Sequence, residues 1–106
     1  MTPNTGDKSR GSARRPIMAL LDLLGRRWTL RVLWELRDQR LSFRQLRERC
    51  DNVSPTSLNR RLRELREAGL VDLEDEGYGY TQRGRELGER LMGLSEWSQA
   101  WYAERN

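Results

Sequence analysis

Histidine is absent from this 106-residue sequence, and cysteine occurs once, at Cys50. Without histidine the chain cannot form a Ser-His-Asp or Cys-His nucleophile, a histidine metal site or a histidine acid–base pair. The neighbouring carboxylates Glu74, Asp75 and Glu76 lack the apolar surroundings that catalytic carboxylates need. We therefore expect no enzyme activity, no metal ion and no cofactor.

Long apolar runs are also absent, so neither a membrane span nor the apolar core of a signal peptide is expected. The lone cysteine excludes an intramolecular disulfide and is typical of a protein from the reducing cytoplasm. Hydrophobic residues make up only 36% of the chain, which is low for a globular domain. The sequence thus predicts a small core that association with a second copy would help to complete.

Charge is what the chain has in quantity: 20 basic and 16 acidic residues give a net charge of +4 and a pI near 10.0. This balance favours a polyanionic partner, although the interspersed acids weaken the signal. Residues 1–15 are rich in Gly, Ser, Thr and Arg and predict a disordered basic tail. Residues 16–106 are long enough for one domain.

Apolar residues recur at helical spacing in three stretches before residue 50. Pro16 opens a first helix that Gly25 ends, and the stretch RRWTLRVLWEL begins a second. Ser42 caps a third helix, FRQLRER, with Phe43 and Leu46 facing inward. The second helix is expected to bury a face formed by Leu30, Leu33, Trp34 and Leu36.

The stretch SPTSLNRRLRELREAGL, residues 54–70, predicts a fourth helix with contrasting faces, after a short turn at CDNV. Ser54 is a good N-cap, Pro55 fits the first helical position, and Gly69 fits the position after the last turn. The apolar face consists of Leu58, Leu62 and Leu65. The opposite face is expected to carry Thr56, Arg60, Arg63, Glu64 and Glu67, with Asn59 and Ser57 on its flanks.

After Gly69 the apolar period changes to that of strands. Leu41 begins a short extended piece, and LVDLEDEGYGYT predicts a hairpin that turns around Glu76 and Gly77. Thr81 caps a long final helix whose continuity is weakened by three glycines, at about 1 kcal/mol each relative to alanine. Its apolar stripe contains Leu87, Leu91, Leu94, Trp97, Ala100 and Trp101.

This order of elements predicts a winged helix-turn-helix, a mainly α fold with a small β-hairpin wing. In that fold the fourth helix presents its first turns to base edges in the major groove. Arginine can bind guanine through two hydrogen bonds, and asparagine can bind adenine. The expected base-reading residues are Thr56, Ser57, Asn59, Arg60 and Arg63.

Backbone phosphates need their own contacts, which position the protein on the duplex. The start of the third helix is one expected source, and the flank of the fourth helix is another. The predicted phosphate-contacting residues are Arg44, Gln45, Ser54 and Arg61. Two alternatives accompany them: Arg44 and Gln45 could be solvated surface, and the Arg61 head could pair with an acid. Glu64 and Glu67 are interpreted as helix-stabilising or dimer-side residues because they would repel phosphates.

Four segments in one register resemble the HxlR family of bacterial transcription regulators, which are winged helix-turn-helix proteins related to the MarR group. They are LLDLLGRRWTLRVLWEL, LSFRQLRE, VSPTSLNRRLRELREAGLV and TQRGRELGERLMGLSEW. The resemblance implies a homodimer, joined through the first and last helices, that binds an inverted repeat in double-stranded operator DNA. The expected interface residues are Ile17, Leu20, Leu21, Leu91, Leu94, Trp97 and Trp101.

Two features depart from the family pattern. Many members carry a responsive cysteine directly before the proline of the first helix, where this chain has Arg15; Cys50 is interpreted as a small apolar core residue. The hairpin is short and acidic at its tip, and an acidic wing would be repelled by DNA phosphates.

The sequence thus predicts a cytoplasmic, sequence-specific DNA-binding regulator, acting as a repressor, with a small-molecule effector allowed but unspecified. The alternative is a winged-helix module that binds a protein partner, instead of operator DNA, through its acidic wing and the face that carries Glu64 and Glu67. Salt-dependent binding to duplex DNA would separate the two.

Overall fold

The computed structural model describes residues 15–105. Apart from Arg15, the predicted N-terminal tail lies outside these residues. The chain forms the following elements in order: α1 (Pro16–Leu24), α2 (Thr29–Glu35), α3 (Phe43–Arg49), α4 (Pro55–Glu67), β1 (Val71–Glu74), β2 (Gly77–Tyr80) and α5 (Gln82–Arg105). This is the order that the sequence predicts.

Local hydrogen bonds set the helix starts where the sequence placed them. The Ser42 side chain accepts a hydrogen bond from the Gln45 backbone, and the Gln45 side chain accepts one from Ser42 N–H, which completes a capping box on α3. At α4 the Ser54 hydroxyl accepts from Ser57 N–H at 3.1 Å. At α5 the Thr81 hydroxyl accepts from Gly84 N–H at 3.0 Å.

Left-handed residues end both α3 and α4. Asp51 and Asn52 both have φ of 58°, and Gly69 has φ of 77°. After α4, Leu70 N–H donates to Leu65 O and Gly69 N–H donates to Arg66 O, which is the Schellman pattern. These turns were expected from Asp, Asn and Gly at those positions.

The hairpin is antiparallel, with Val71 opposite Tyr80 and Glu74 opposite Gly77. Leu41 adds an isolated bridge to Tyr78, so the extended piece before α3 pairs with β2. The hairpin is therefore attached to the α2–α3 connection as well as to α4.

One apolar core lies between α2, α3, α4 and the hairpin. Its buried members are Val32, Leu33, Leu36, Leu41, Leu46, Cys50, Val53, Leu58, Leu62, Leu65, Leu70 and Val71. Trp28 and Phe43 pack against it from partly buried positions.

The predicted inner face of α2 was wrong in part, because Leu30 is exposed and Val32 is buried. The buried residues of α2 are Thr29, Val32 and Leu33. Leu30 and Trp34 lie about 100° or more around the helix from that face. They line an open groove with Leu91 and Leu94 of α5 instead.

Helix α5 runs unbroken through its three glycines, and close packing explains two of them. A Cβ on Gly84 would lie 2.0 Å from Leu70 O, and one on Gly88 would lie 2.7 Å from the Tyr80 ring. The Tyr80 hydroxyl in turn donates to Leu33 O. These contacts hold the first half of α5 against the hairpin and α2, and they outweigh the low helix propensity of glycine.

Candidate nucleic-acid interface

Helix α4 is held by its leucines and leaves a polar side open to solvent. Leu58, Leu62 and Leu65 are buried in the core. The expected base-reading residues Thr56, Asn59, Arg60 and Arg63 are exposed, and Ser57 is half-buried beside the N-cap. The structure therefore brings the five predicted residues together along one helix.

The outward cations of α4 have no acidic partner within residues 15–105. Arg60 and Arg63 are exposed and form no ion pair or side-chain hydrogen bond there. Arginine guanidinium groups in this state are available to bind an external anion or a guanine edge in a bidentate way. This side of α4 is the candidate nucleic-acid interface.

Arg66 belongs to the same group and was missed by the sequence analysis. It is exposed, forms no ion pair among the described residues, and lies three residues after Arg63. Arg63 and Arg66 line a groove of about 520 Å³ between α4 and β1. The i, i+3 spacing from Arg63 was a signal that could have identified it.

Arg61 and Glu64 lie elsewhere than the outward face. Their side chains are 15% and 20% exposed, and Arg61 Nε is 3.2 Å from Glu64 Oε1. Glu64 Oε2 also lies 3.0 Å from Arg26 Nη1, in the turn between α1 and α2. The expected position of Glu64 on the outward face was wrong, because it turns towards these two arginines. Arg61 was expected either to contact a phosphate or to pair with an acid. The structure shows the pairing with an acid, Glu64.

The other predicted phosphate contacts lie at the starts of α3 and α4. Arg44 is highly exposed, with only a 3.5 Å pair to Glu48 on its own helix. Gln45 is exposed, although its amide oxygen is occupied in the capping box. The Ser54 hydroxyl accepts from Ser57 N–H and keeps its own proton free to donate.

The hairpin has no arginine or lysine of its own, but it is held by one. Arg40 Nη2 lies 2.6 Å from Asp72 Oδ1 and 3.3 Å from Glu74 Oε1, and Arg40 Nη1 donates to Gly77 O at 2.9 Å. The hydrogen bond to Asp72 raises the pKa of Arg40 further above its ordinary value. The tip residues Asp75 and Glu76 are exposed, so the end of the hairpin is acidic, as the sequence predicts.

Cys50 lies in the core, with no exposed surface. Burial raises the pKa of its thiol, and Arg31 opposes that shift. Both observations favour a small apolar core residue, because a reactive cysteine needs access and a stabilised thiolate. Residues 15–105 contain no group of three or more Cys, Asp or Glu side chains placed to hold a metal ion, and none of their helices is long and apolar enough to cross a membrane.

Large apolar side chains cover α1 and the second half of α5. No residue of α1 is buried. Among the expected interface residues, Leu20 and Leu91 are half-buried. The others are exposed: Ile17 53%, Leu21 51%, Leu94 61%, Trp97 64% and Trp101 44%. The rings of Trp97 and Trp101 stack with centroids 5.9 Å apart.

Comparison with known proteins places this geometry in a family. Residues 23–106 match the HxlR-like helix-turn-helix family. A relative from Methanocaldococcus jannaschii, an uncharacterized HTH-type transcriptional regulator, is 26% identical over 88 residues, which cover 79% of this chain and 83% of that protein.

Two solved structures share the fold. A possible HxlR family transcriptional factor from Thermoplasma volcanium superposes with a TM-score of 0.73 and 28% identity, covering 88% of each chain. Quinone-bound YodB from Bacillus subtilis gives a TM-score of 0.72 and 25% identity, covering 79% of this chain and 96% of that one.

These similarities confirm the predicted family and the winged helix-turn-helix fold. The family is one of transcriptional regulators and not of enzymes. The structure agrees with this family match: helix α4 has exposed arginines and lies beside a β-hairpin. The chain belongs to the HxlR-like helix-turn-helix family and is a DNA-binding transcriptional regulator.

Proposed function

We propose that the protein binds an inverted-repeat operator as a homodimer and represses the genes beside it. The single observation that carries this proposal is the position of Arg60 and Arg63, exposed on the recognition helix α4 without an acidic partner among residues 15–105. An unpaired arginine on a helix already held by its leucines can bind a guanine edge or a phosphate without first breaking an ion pair of its own.

In the proposed complex the first nine residues of α4, about two and a half turns, enter the major groove. Thr56, Ser57, Asn59, Arg60 and Arg63 read base edges there. Glu67, exposed at the far end of α4, would be repelled by phosphates and favours a pose in which the N-terminal end of the helix lies deepest.

The starts of α3 and α4 would hold the DNA backbone. Arg44 and the Gln45 amide group would contact one phosphate, and the Ser54 hydroxyl would donate to another. Arg66, beside Arg63 in the groove next to β1, is a further candidate for a phosphate contact. Arg61 stays on the proposed set only as a weak member, because Glu64 already neutralises it.

Homodimerisation follows from the uncovered apolar residues of α1 and α5. Soluble monomers rarely leave several large apolar side chains exposed side by side, as α1 and α5 do here. A two-fold axis that buries α1 and α5 against their copies gives a self-complementary contact. The same axis would place two recognition helices about 34 Å apart, one turn of DNA, and would make the operator palindromic.

Repression in the cytoplasm is the outcome that we expect from such binding. A dimer seated on both half-sites would occupy promoter DNA that the polymerase needs. The buried thiol of Cys50 is compatible with that reducing compartment.

The test is selection of duplexes from a random library by the full-length protein, followed by titration at several salt concentrations. We expect a palindrome with half-sites about ten base pairs apart. The logarithm of the binding constant should fall linearly with the logarithm of the salt concentration. Sedimentation at micromolar concentration should give a dimer. Enrichment of no sequence, or a monomer that binds a single half-site, would contradict the proposal.

A further inference from the structure

Glu64 joins two parts of the chain through contacts that base reading does not require. Glu64 Oε2 lies 3.0 Å from Arg26 Nη1, and Glu64 Oε1 lies 3.2 Å from Arg61 Nε. The Glu64 and Arg61 side chains are largely shielded from solvent, and Arg26 is half-exposed. The three charges therefore form a partly buried cross-link between the recognition helix and the turn before α2.

That turn is unusual in its backbone. Trp28 has φ of 82°, a left-handed conformation that is rare for a bulky residue. The Arg27 guanidinium lies 5.2 Å from the centre of the Trp28 ring, and Trp28 packs against the core. A conformation of this kind persists only where its surroundings hold it. The Arg26–Glu64 pair is one of the contacts that hold this turn.

The turn is also the only covalent link from α1 to the rest of the domain. Helix α1 has no fully buried residue and packs against the core only through the partly buried Leu23 and Leu24 at its C-terminal end, so the four residues that follow it contribute to its direction. The Arg26 end of the cross-link therefore lies in the turn that follows α1, and the Glu64 end lies on α4, the helix that carries Asn59 and Arg60.

We propose that Glu64 is a positioning residue for DNA recognition. Through Arg26 and Arg61 it fixes α4 relative to the α1–α2 turn, and therefore relative to α1, one of the two helices by which the two copies would associate. This inference rests on the proposed dimer and operator. In that dimer, Glu64 of each copy would orient the recognition helix of the same copy on its half-site.

Glu64→Gln and Glu67→Gln form a matched pair for the test. Both remove one negative charge from α4, but Glu67 is exposed and has no ion-pair partner among the described residues. The measurement is the ratio of affinities for the selected operator and for a scrambled duplex of equal composition, using full-length dimer. We expect the ratio to fall about five- to tenfold in Glu64→Gln, as for coupled side chains, and to stay within about twofold in Glu67→Gln.

Arg26 supplies the second arm. Arg26→Gln should lower the ratio as Glu64→Gln does, Arg26→Lys should restore most of it because the positive charge is kept, and the double variant should lose no more than either single variant. A role in stability alone would reduce the folded fraction and lower both affinities together, leaving the ratio unchanged.

Each outcome decides a different question. A wild-type protein that does not distinguish operator from scrambled duplex would reject the proposed function itself. A selective wild type with an equally selective Glu64→Gln or Arg26→Gln variant would overturn the positioning role. Additive losses in the double variant would overturn it as well.

Discussion

The two halves of α5 differ in the size of their side chains and in whether those side chains are buried. In the first half, Gly84 and Gly88 are buried under Leu70 and Tyr80, where a Cβ would not fit. In the second half, Trp97 and Trp101 are exposed, and Gly93 has nothing within 4 Å of its would-be Cβ. The first half of the helix packs closely against its own chain, whereas the second half has large aromatic side chains that stay largely exposed among residues 15–105.

This difference indicates that one helix serves two purposes. Small residues occur where the fold needs close approach, and aromatic residues occur where a second surface would supply the contact. The half that packs sets the direction of α5, and the half that does not pack follows that direction because the helix is continuous. The domain therefore presents its proposed dimer surface at a defined angle to α4.

Replacing the aromatic residues tests the second half most strongly. In the variant Trp97→Ala plus Trp101→Ala we expect the dimer dissociation constant to rise at least about a thousandfold, because buried tryptophans at interfaces cost 2 kcal/mol or more each. Sedimentation and operator titration should show both losses together. Gln99→Ala, an exposed change on the same half, is the control and should leave the dimer intact. A double variant that stays dimeric would contradict the comparison.

Filling the glycines tests the first half. Gly84→Ala should lower the free energy of unfolding by about 3 kcal/mol, because the new Cβ would overlap Leu70 O. Gly93→Ala should instead raise it by about 0.5–1 kcal/mol, since alanine favours the helix and the site is open. Denaturant unfolding at one protein concentration measures both. Equal effects at the two positions would remove the distinction between the halves.

The recognition helix allows a similar contrast between packed and free residues. Arg60→Ala and Asn59→Ala should each lose about 1–3 kcal/mol of discrimination between the operator and a duplex altered at the contacted base. Arg85→Ala is the control: it removes a positive charge from α5, outside the reading face, and should weaken binding to both duplexes to the same extent. Retention of full selectivity by both α4 variants would reject the assigned reading face.

Cys50 provides a smaller pH effect from the packed interior. Burial raises the pKa of the thiol in the folded state above its value in the unfolded state. Between these two pKa values only the unfolded state gives up the proton, so the free energy of unfolding falls as pH rises through this range. Between pH 8 and pH 10 the wild type should lose less than about 1.5 kcal/mol more than Cys50→Ala does. Thermal unfolding of the two proteins in matched buffers measures the difference, and a wild type that gains stability over this range would contradict it.

The smallest expected effect is that of oxidants. Thiol oxidants should change operator affinity by less than about twofold, because Cys50 is buried and its pKa is raised. Fluorescence anisotropy with a labelled operator, before and after treatment, is the measurement. A reproducible change that disappears in Cys50→Ala would make Cys50 a sensor.

Most of the fold could be predicted because its signals are local. The serines before α3 and α4, the proline at the start of α1 and the glycine after α4 act on backbone groups within a few residues of themselves. The leucine spacing of α4 likewise determines which face packs, whatever the neighbouring elements are. The exposure of the proposed base-reading residues follows from that face by helix geometry alone.

The candidate site was harder where partners come from distant parts of the chain. Arg26 and Glu64 are 38 positions apart, and Arg40 contacts Asp72 across 32 positions. With so many arginines and acids in the chain, the sequence offers each acid several partners of equal quality. Only the packing of the turns and the hairpin selects among them.

The sequence by itself determined the order of elements, their caps, the buried leucines of α4 and the absence of histidine chemistry, because these depend on residue type and on periodicity. Tertiary structure alone decided that Glu64 turns inward, that Leu30 faces α5 and that α5 continues through Gly84 and Gly88. Each of these depends on a close approach between segments far apart in the chain. Local propensity does not encode such an approach, and the energy of burial and of ion pairing overrides it.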